Sequence, residues 1–412
     1  MTIRDIQARE IFDSRAIPTI ECDVILSDGM IVTSSVPSGI SCGTNEAIEL
    51  RDGGDRLMGL GVRKAVRIVE DIIAPVLRDR IPDVITFDLE LLELDDTNNK
   101  SHLGANTMLA VSSAVCRAQA YKEELELYEL IAHLSGYSNV ALPCPMFNML
   151  GGGLHADNGV QIQELLIVPT QELSFYDAME TGVSVFYALK EILHTQGKIT
   201  SSGYEGEFVP SFKDQYEPFD ILMEAIDKSN RGDHVMISLD SAASHLYNDA
   251  TGLYTWYGVE MTSHELIEWY SFLVSRYPIY SIEDGLSEVD WDGWKTMKEV
   301  IGSKVKLVGD DLFVTDSQRI WHGIENDCAT TALIKPNQIG TITETLQAVQ
   351  LCKDNNWDVI VSHRSGETND SFIADLAVGV SASHIKAGGC SRGERLAKYN
   401  RLLRIEEGLL TF

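Results

Sequence analysis

Seven titratable or charged side chains in the second half of the chain follow short apolar runs. "VMISLD" ends at Asp240, "IYSIED" brings Glu283 (with Asp284 after it) and "VKLVGDD" brings Asp310 (with Asp311 after it). "TALIK" ends at Lys335, "DVIVSHRS" brings His363 and Arg364, and "SHIKAGG" brings Lys386. Brought together, three carboxylates make an oxygen site suited to a hard divalent ion, above all Mg²⁺. Zinc prefers thiol and imidazole ligands, and these are not clustered with the acids. A lysine beside such a site suits proton abstraction next to a carboxylate. That proton is weakly acidic because its removal adds a second negative charge, which bound metal neutralises. Nearby cations also disfavour the ammonium form of lysine, which makes it a base near neutral pH.

Position supports this chemistry more than residue type does, because a lone acid after a strand is ordinarily a turn or helix-cap residue. From Glu283 through Asp310, Lys335 and His363 to Lys386 the steps are 27, 25, 28 and 23 residues. One strand, a crossover helix and two loops need roughly 30 residues. So many βα units in series predict a parallel sheet closed into a barrel. The C-terminal ends of barrel strands share one mouth, where distant residues converge; an open sheet gathers ligands only at a switch point.

Upstream, residues 1 to about 60 alternate apolar and polar positions between turn signals, which predicts a small antiparallel sheet. Residues 62 to 128 carry helical periodicity, so an α+β domain over 1–134 is expected to precede a barrel over 135–412. The stretch "LSGYSNVALPCPMFNMLGGGLHADNG", rich in Gly, Pro and Asn, reads as the boundary. A second glycine-rich segment, "SSGYEGEFVP", sets Glu205 between glycines beside aromatics. Alone it is a polar surface turn; next to the barrel mouth it offers a catalytic acid on a mobile loop.

The 412 residues carry 33 Lys and Arg against 62 Asp and Glu, a net charge of −29. Nucleic acid and anionic membrane both require a basic face, so neither is an expected partner. An anionic substrate would need local lysines, arginines or bound cations. Seven cysteines, Cys22, Cys42, Cys116, Cys144, Cys328, Cys352 and Cys390, are widely spaced with no CxxC. That pattern predicts free thiols in a reducing cytosol. Neither a signal segment nor a membrane span is apparent, and a cytoplasmic protein is expected.

The segments "AREIFDSR", "VPSGISCG", "GANTMLAVSSA", "LPCPMFN", "GLHADN", "QELLIVP", "SLDSAAS", "SIEDG", "LVGDDLFVT", "LIKPNQIGT", "VSHRSGET" and "ERLAKYNRLLRIEE" run in collinear order over nearly the whole chain. Together they resemble glycolytic enolases, particularly the bacterial type. The resemblance implies an α/β protein in which an N-terminal α+β capping domain precedes an eight-fold, TIM-like β/α barrel with an atypical early strand arrangement. The implied enzyme is a lyase, phosphopyruvate hydratase, interconverting 2-phosphoglycerate and phosphoenolpyruvate plus water in glycolysis and gluconeogenesis. It would use two Mg²⁺, one structural and one arriving with substrate, in a homodimer or an octamer of dimers. Lysine working with Mg²⁺ is known for that superfamily.

Carried onto this chain, the resemblance makes Asp240, Glu283 and Asp310 ligands of the structural ion, with Ser38 joining the second. Lys335 matches the base and Glu205 the proton donor to the departing hydroxide. Arg364 and Ser365 match phosphate contacts, and Lys386 a contact to the substrate carboxylate. His155, Gln163 and Glu164 match groups around the substrate; His363 is either a substrate neighbour or a core histidine. Relatives also imply the cell surface or secretion as further locations.

Several loops depart from the bacterial pattern. Where relatives read G-D-E-G-G-F, this chain reads Gly203-Tyr204-Glu205-Gly206-Glu207-Phe208. Glu207 in a glycine position implies backbone strain if φ is positive there, and an upward push on the Glu205 pKa. Ala16 stands at a tight turn for Gly, Gly151 for Asn, and Leu154 for a smaller or polar residue. Ile40 stands for Ala and Cys42 for Thr. An alternative expectation is therefore a catalytically impaired enolase-like paralogue with a binding or surface role.

Overall fold

The computed structural model describes residues 1–39, 43–137 and 139–411; Ile40 and Cys42 lie outside them. Three strands open the chain: β1 (Ile3–Phe12), β2 (Pro18–Leu26) and β3 (Ile31–Ser35), paired as an antiparallel meander. The β1–β2 turn is closed by the Asp13 carboxylate, which accepts the N–H groups of Arg15 (2.8 Å) and Ile17 (2.9 Å). Between them Ala16 takes the left-handed conformation, φ 61°, which a side chain disfavours. The helix Ala105–Lys122 packs on β2 and β3 and is buried on nearly every face. Small residues along it, Ala110, Ala114 and Ala118, allow that close packing.

The barrel strands are β4 (Cys144–Gly151), β5 (Glu164–Pro169), β6 (Val235–Asp240), then β10 (Ile279–Glu283), β11 (Lys306–Gly309), β12 (Thr331–Ile334), β13 (Asp358–Ser362) and β14 (His384–Lys386). Between β6 and β10, a small sheet of β7 (Tyr247–Asn248), β8 (Leu253–Trp256) and β9 (Val259–Met261) is inserted. Neighbours around the closed barrel run β10-β11-β12-β13-β14-β4-β5-β6. All pairs are parallel except the two made by β5, which runs against both β4 and β6. Its reversed course puts the first residue of β5 at the shared mouth: Glu164 lies opposite both Gly151 and Asp240.

The six runs read as barrel strands from spacing are β6 and β10 to β14. The segment read only as a boundary holds β4, a fully buried strand, so its Pro and Gly content misleads about local structure. Within the barrel Cys144, Met146, Leu166, Val168, Val308, Leu333 and Ile360 form an apolar cluster. The mouth is thus floored by hydrocarbon, which raises the cost of any unpaired charge there. The six described cysteines are free. Among the described residues no helix is long and apolar enough to cross a membrane.

Candidate active site

Each barrel-borne group predicted from the sequence stands at a strand end. Asp240, Glu283 and Lys386 close β6, β10 and β14, while Asp310, Lys335 and His363 come directly after β11, β12 and β13. All six are nearly excluded from solvent. The Lys386 ammonium lies 2.8 and 2.9 Å from the two Glu283 oxygens, and 3.1 Å from both Asp240 Oδ2 and Glu164 Oε2. Gln163 donates to Asp240 from 3.3 Å. Lys335 pairs with Asp310 Oδ2, whose other oxygen accepts from Gln338 at 2.9 Å. Asp284 orients that turn by accepting the backbone N–H groups of Asp310 (2.9 Å) and Asp311 (2.8 Å).

So many buried carboxylates repel one another. Burial and then Glu205 push the Glu164 carboxyl well above its usual range; burial and then Asp240 do the same to Glu283. Burial lowers the pKa of Lys386, but Asp240, Glu164 and Glu283 outweigh it and hold the ammonium firmly charged. Lys335 is likewise held above its ordinary value: burial and the charges of Arg364 and Lys386 lower it, and Asp310 and Glu283 together more than offset them. The cluster already gathers cationic side chains, and hard oxygen donors from the adjacent strands β6, β10 and β11 fit a divalent cation such as Mg²⁺. Among the described residues, two groups of three bring one ligand atom each to within 4.8 Å of one another: His155, Glu164 and Glu205, and Asp284, Asp310 and Asp311; the predicted trio Asp240, Glu283 and Asp310 is not one of them.

Glu205 reaches this mouth from outside the barrel strands. Its carboxylate lies 3.8 Å from His155 Nε2 and 3.5 Å from His363 Nε2, and accepts from Asn148 Nδ2 at 3.1 Å. The His363 Nδ1 faces the Arg395 guanidinium, so Nδ1 is the acceptor and the proton resides on Nε2, toward Glu205. Burial keeps that imidazole well below its usual pKa. Burial raises the Glu205 carboxyl, but His363, His155, Arg395 and Lys386 outweigh it and hold the group ionised.

The loop read as mobile is pinned on several sides. Gly389 N–H donates to Glu205 O (2.8 Å), Ser391 Oγ to Gly206 O (2.9 Å) and Arg395 to Tyr204 O (3.0 Å). The feared strain at Glu207 is absent: the left-handed turn falls on Gly206, φ 95°, and Glu207 is not among the residues with positive φ. Charge coupling also runs opposite to expectation. Burial and then Glu205 push the Glu207 carboxyl up to about 7, while Glu205 remains low.

The remaining predicted residues lie outside the barrel strands and are buried. Arg364 pairs with Glu46 (3.0 Å) and Asn337 (3.1 Å), and the Ser365 carbonyl accepts from Arg395 (2.7 Å). Ser38 Oγ donates to Asp13 at 3.0 Å, and Ser38 pairs through its backbone with Gly366 beside Arg364. His155 and Gln163 border a cavity of about 660 Å³ that also meets Leu154, Tyr204 and His245. Sequence reading places Asp284 beside Glu283 at a strand end but gives it no role, and it misses Asn148 and Arg395. Asp284 was visible as the second acid of "SIED"; a single arginine on the amphipathic helix Gly393–Thr411 gives no comparable signal.

Two family profiles match the chain: "Enolase, N-terminal domain" over residues 3–131 and "Enolase, C-terminal TIM barrel domain" over residues 139–411. The chain belongs to the enolase family. An enolase from Natranaerobius thermophilus is 49% identical over 413 aligned residues, spanning 99% of this chain and 95% of that protein. The enolase resemblance seen in scattered motifs therefore extends through both parts of the fold, including the reversed strand β5.

Proposed function

We propose that the chain is a phosphopyruvate hydratase, a Mg²⁺-dependent enolase acting in glycolysis and gluconeogenesis on 2-phosphoglycerate. The observation that carries this reading is the convergence, on one buried barrel mouth, of Lys335 at Asp310, Lys386 at Asp240 and Glu283, and Glu205 between two histidines. Residues 1–134 act as the capping domain and 135–412 as the catalytic barrel.

Lys335, as the free amine, takes the C2 proton, and the electron pair moves onto the substrate carboxylate. The leaving hydroxide at C3 departs with a proton from Glu205, which gives water and phosphoenolpyruvate. Glu205 must carry a proton for that step, and an anionic substrate beside it raises a carboxyl pKa. Arg364, with its planar donor fork, and Ser365 hold the phosphate; Lys386 offers its ammonium to the substrate carboxylate. His155, Gln163 and Glu164 border the leaving hydroxyl, with His363 behind Glu205.

Mg²⁺ held here would supply Lewis-acid neutralisation of the charge gathering on that carboxylate, and Lys335 would be freer to act as a base once Asp310 served as an ion ligand. Asp240, Glu283 and Asp310 would hold the structural ion, and Ser38 would join the ion that arrives with substrate. A homodimer, or an octamer of dimers, in the cytoplasm completes the reading.

The impaired-paralogue alternative drew on the loop departures. Glu207 sits without backbone strain and Glu205 keeps its histidine neighbours, so these observations support the working enzyme. Solvent deuterium exchange at C2 tests the assignment. Lys335→Ala should abolish it, and exchange that survives in Lys335→Ala refutes the base.

A further inference from the structure

Glu207 is a buried carboxylate that the reaction does not use. Its side chain has no exposure to solvent. One oxygen, Oε2, accepts the backbone N–H of Glu205 at 2.8 Å. The other, Oε1, is buried without a hydrogen-bond partner among the described residues. The side chain is wedged between two glycines. A Cβ on Gly151 would stand 2.7 Å from Glu207 Cγ, and one on Gly203 would stand 2.1 Å from Oε1. Gly151 and Glu207 touch here: a bare backbone at one makes room for the carboxylate at the other.

The rest of the loop is stitched to β4 by backbone bonds, Phe208 N–H to Met149 O and Gly151 N–H to Phe208 O, both 2.9 Å. Gly203 N–H donates to Glu207 O at 2.8 Å. Glu205 lies at the apex of this hairpin-like turn, and its own N–H, pointing inward, is met by the Glu207 carboxylate.

We propose that Glu207 is a positioning residue for the candidate acid: its carboxylate, seated in the space left by Gly151 and Gly203, fixes the Glu205 backbone so that the Glu205 side chain faces the departing hydroxyl. Such a residue acts on hydroxide loss and leaves proton abstraction by Lys335 alone. The inference rests on the proposed role of Glu205, and a Glu205→Gln control separates the two.

The experiment compares Glu207→Met, which fills the volume without an acceptor, with Glu207→Gln, which keeps one. Two quantities are read: steady-state dehydration of 2-phosphoglycerate and C2 deuterium exchange. A misplacement of the acid by about 1 Å should lower kcat for Glu207→Met about 10- to 100-fold, with KM and C2 exchange little changed. Glu207→Gln should restore most of kcat. Wild-type kcat in Glu207→Met overturns the inference, as does equal loss of exchange and dehydration, which marks a merely structural residue. Failure of Glu207→Gln to recover beyond Glu207→Met overturns it as well. If Glu205→Gln itself dehydrates normally, the acid assignment falls instead.

Discussion

Lys386→Met removes the ammonium that touches Glu164, Asp240 and Glu283, and leaves three buried carboxylates facing one another without it. Met keeps most of the volume, so the effect is electrostatic. Breaking a buried pair by removing one partner costs about 3–5 kcal/mol, because the remaining charge is stranded away from water. At about 2.1 cal/mol/K per residue, an unfolding entropy for 412 residues converts that loss to a fall of about 3–6 °C in Tm. Mg²⁺ reverses the sign of the problem. A divalent cation compensates the stranded carboxylates, and a ligand present at 100 times its Kd adds about 2.7 kcal/mol to the folded state. Calorimetry or circular dichroism melts in EDTA and in Mg²⁺ read both effects without recourse to activity. The variant should melt below the parent protein in EDTA and gain more from Mg²⁺ than the parent does. A variant as stable as the parent in EDTA, with the same Mg²⁺ response, refutes the reading of this cluster as a cation site balanced by Lys386.

Burial lowers the His384 pKa to about 4, from an ordinary value of 6.5. The unfolded chain then binds the extra proton first, so stability is full above pH 6.5 and falls as pH drops toward 4, by about 3 kcal/mol in all. Urea unfolding of His384→Gln should show a shallower loss over that window, and equal slopes would exclude His384 as the cause. Ala16→Gly relieves a left-handed alanine and should stabilise the protein by about 1 kcal/mol; an unchanged urea midpoint contradicts the strain. Arg395 donates to the carbonyls of Tyr204, Arg364 and Ser365 and faces His363. Arg395→Met should cost at least about 3 kcal/mol in urea unfolding, since it strands several buried acceptors; a loss below about 1 kcal/mol would show that those groups find other partners.

The sequence was most legible where one physical rule acts on many residues. A polar group ending each apolar run at near-constant spacing has few explanations besides repeated βα units, so Asp240, Glu283, Asp310, Lys335, His363 and Lys386 fall at the observed strand ends. β4 escaped because its strand character comes from tertiary burial, while Pro143, Pro145 and the glycines 151–153 speak locally for a turn. Glu164 was reached only through family resemblance; a residue at the start of a strand meets the mouth only if that strand is reversed, and reversal leaves no mark in periodicity. Glu207 was read as a source of strain because the glycine it replaces suggested positive φ. The turn is in fact carried by Gly206, and the room for the side chain comes from Gly151, more than fifty residues away in sequence.

On the proposed function, this barrel mouth dehydrates 2-phosphoglycerate with Lys335 as base. The most direct test is the absorbance of phosphoenolpyruvate formed by the purified, folded protein, with and without Mg²⁺, alongside Lys335→Ala. Turnover should require Mg²⁺ and vanish in Lys335→Ala. Folded protein that forms no phosphoenolpyruvate in Mg²⁺, or a Lys335→Ala variant that forms it at the parent rate, would contradict the proposed function.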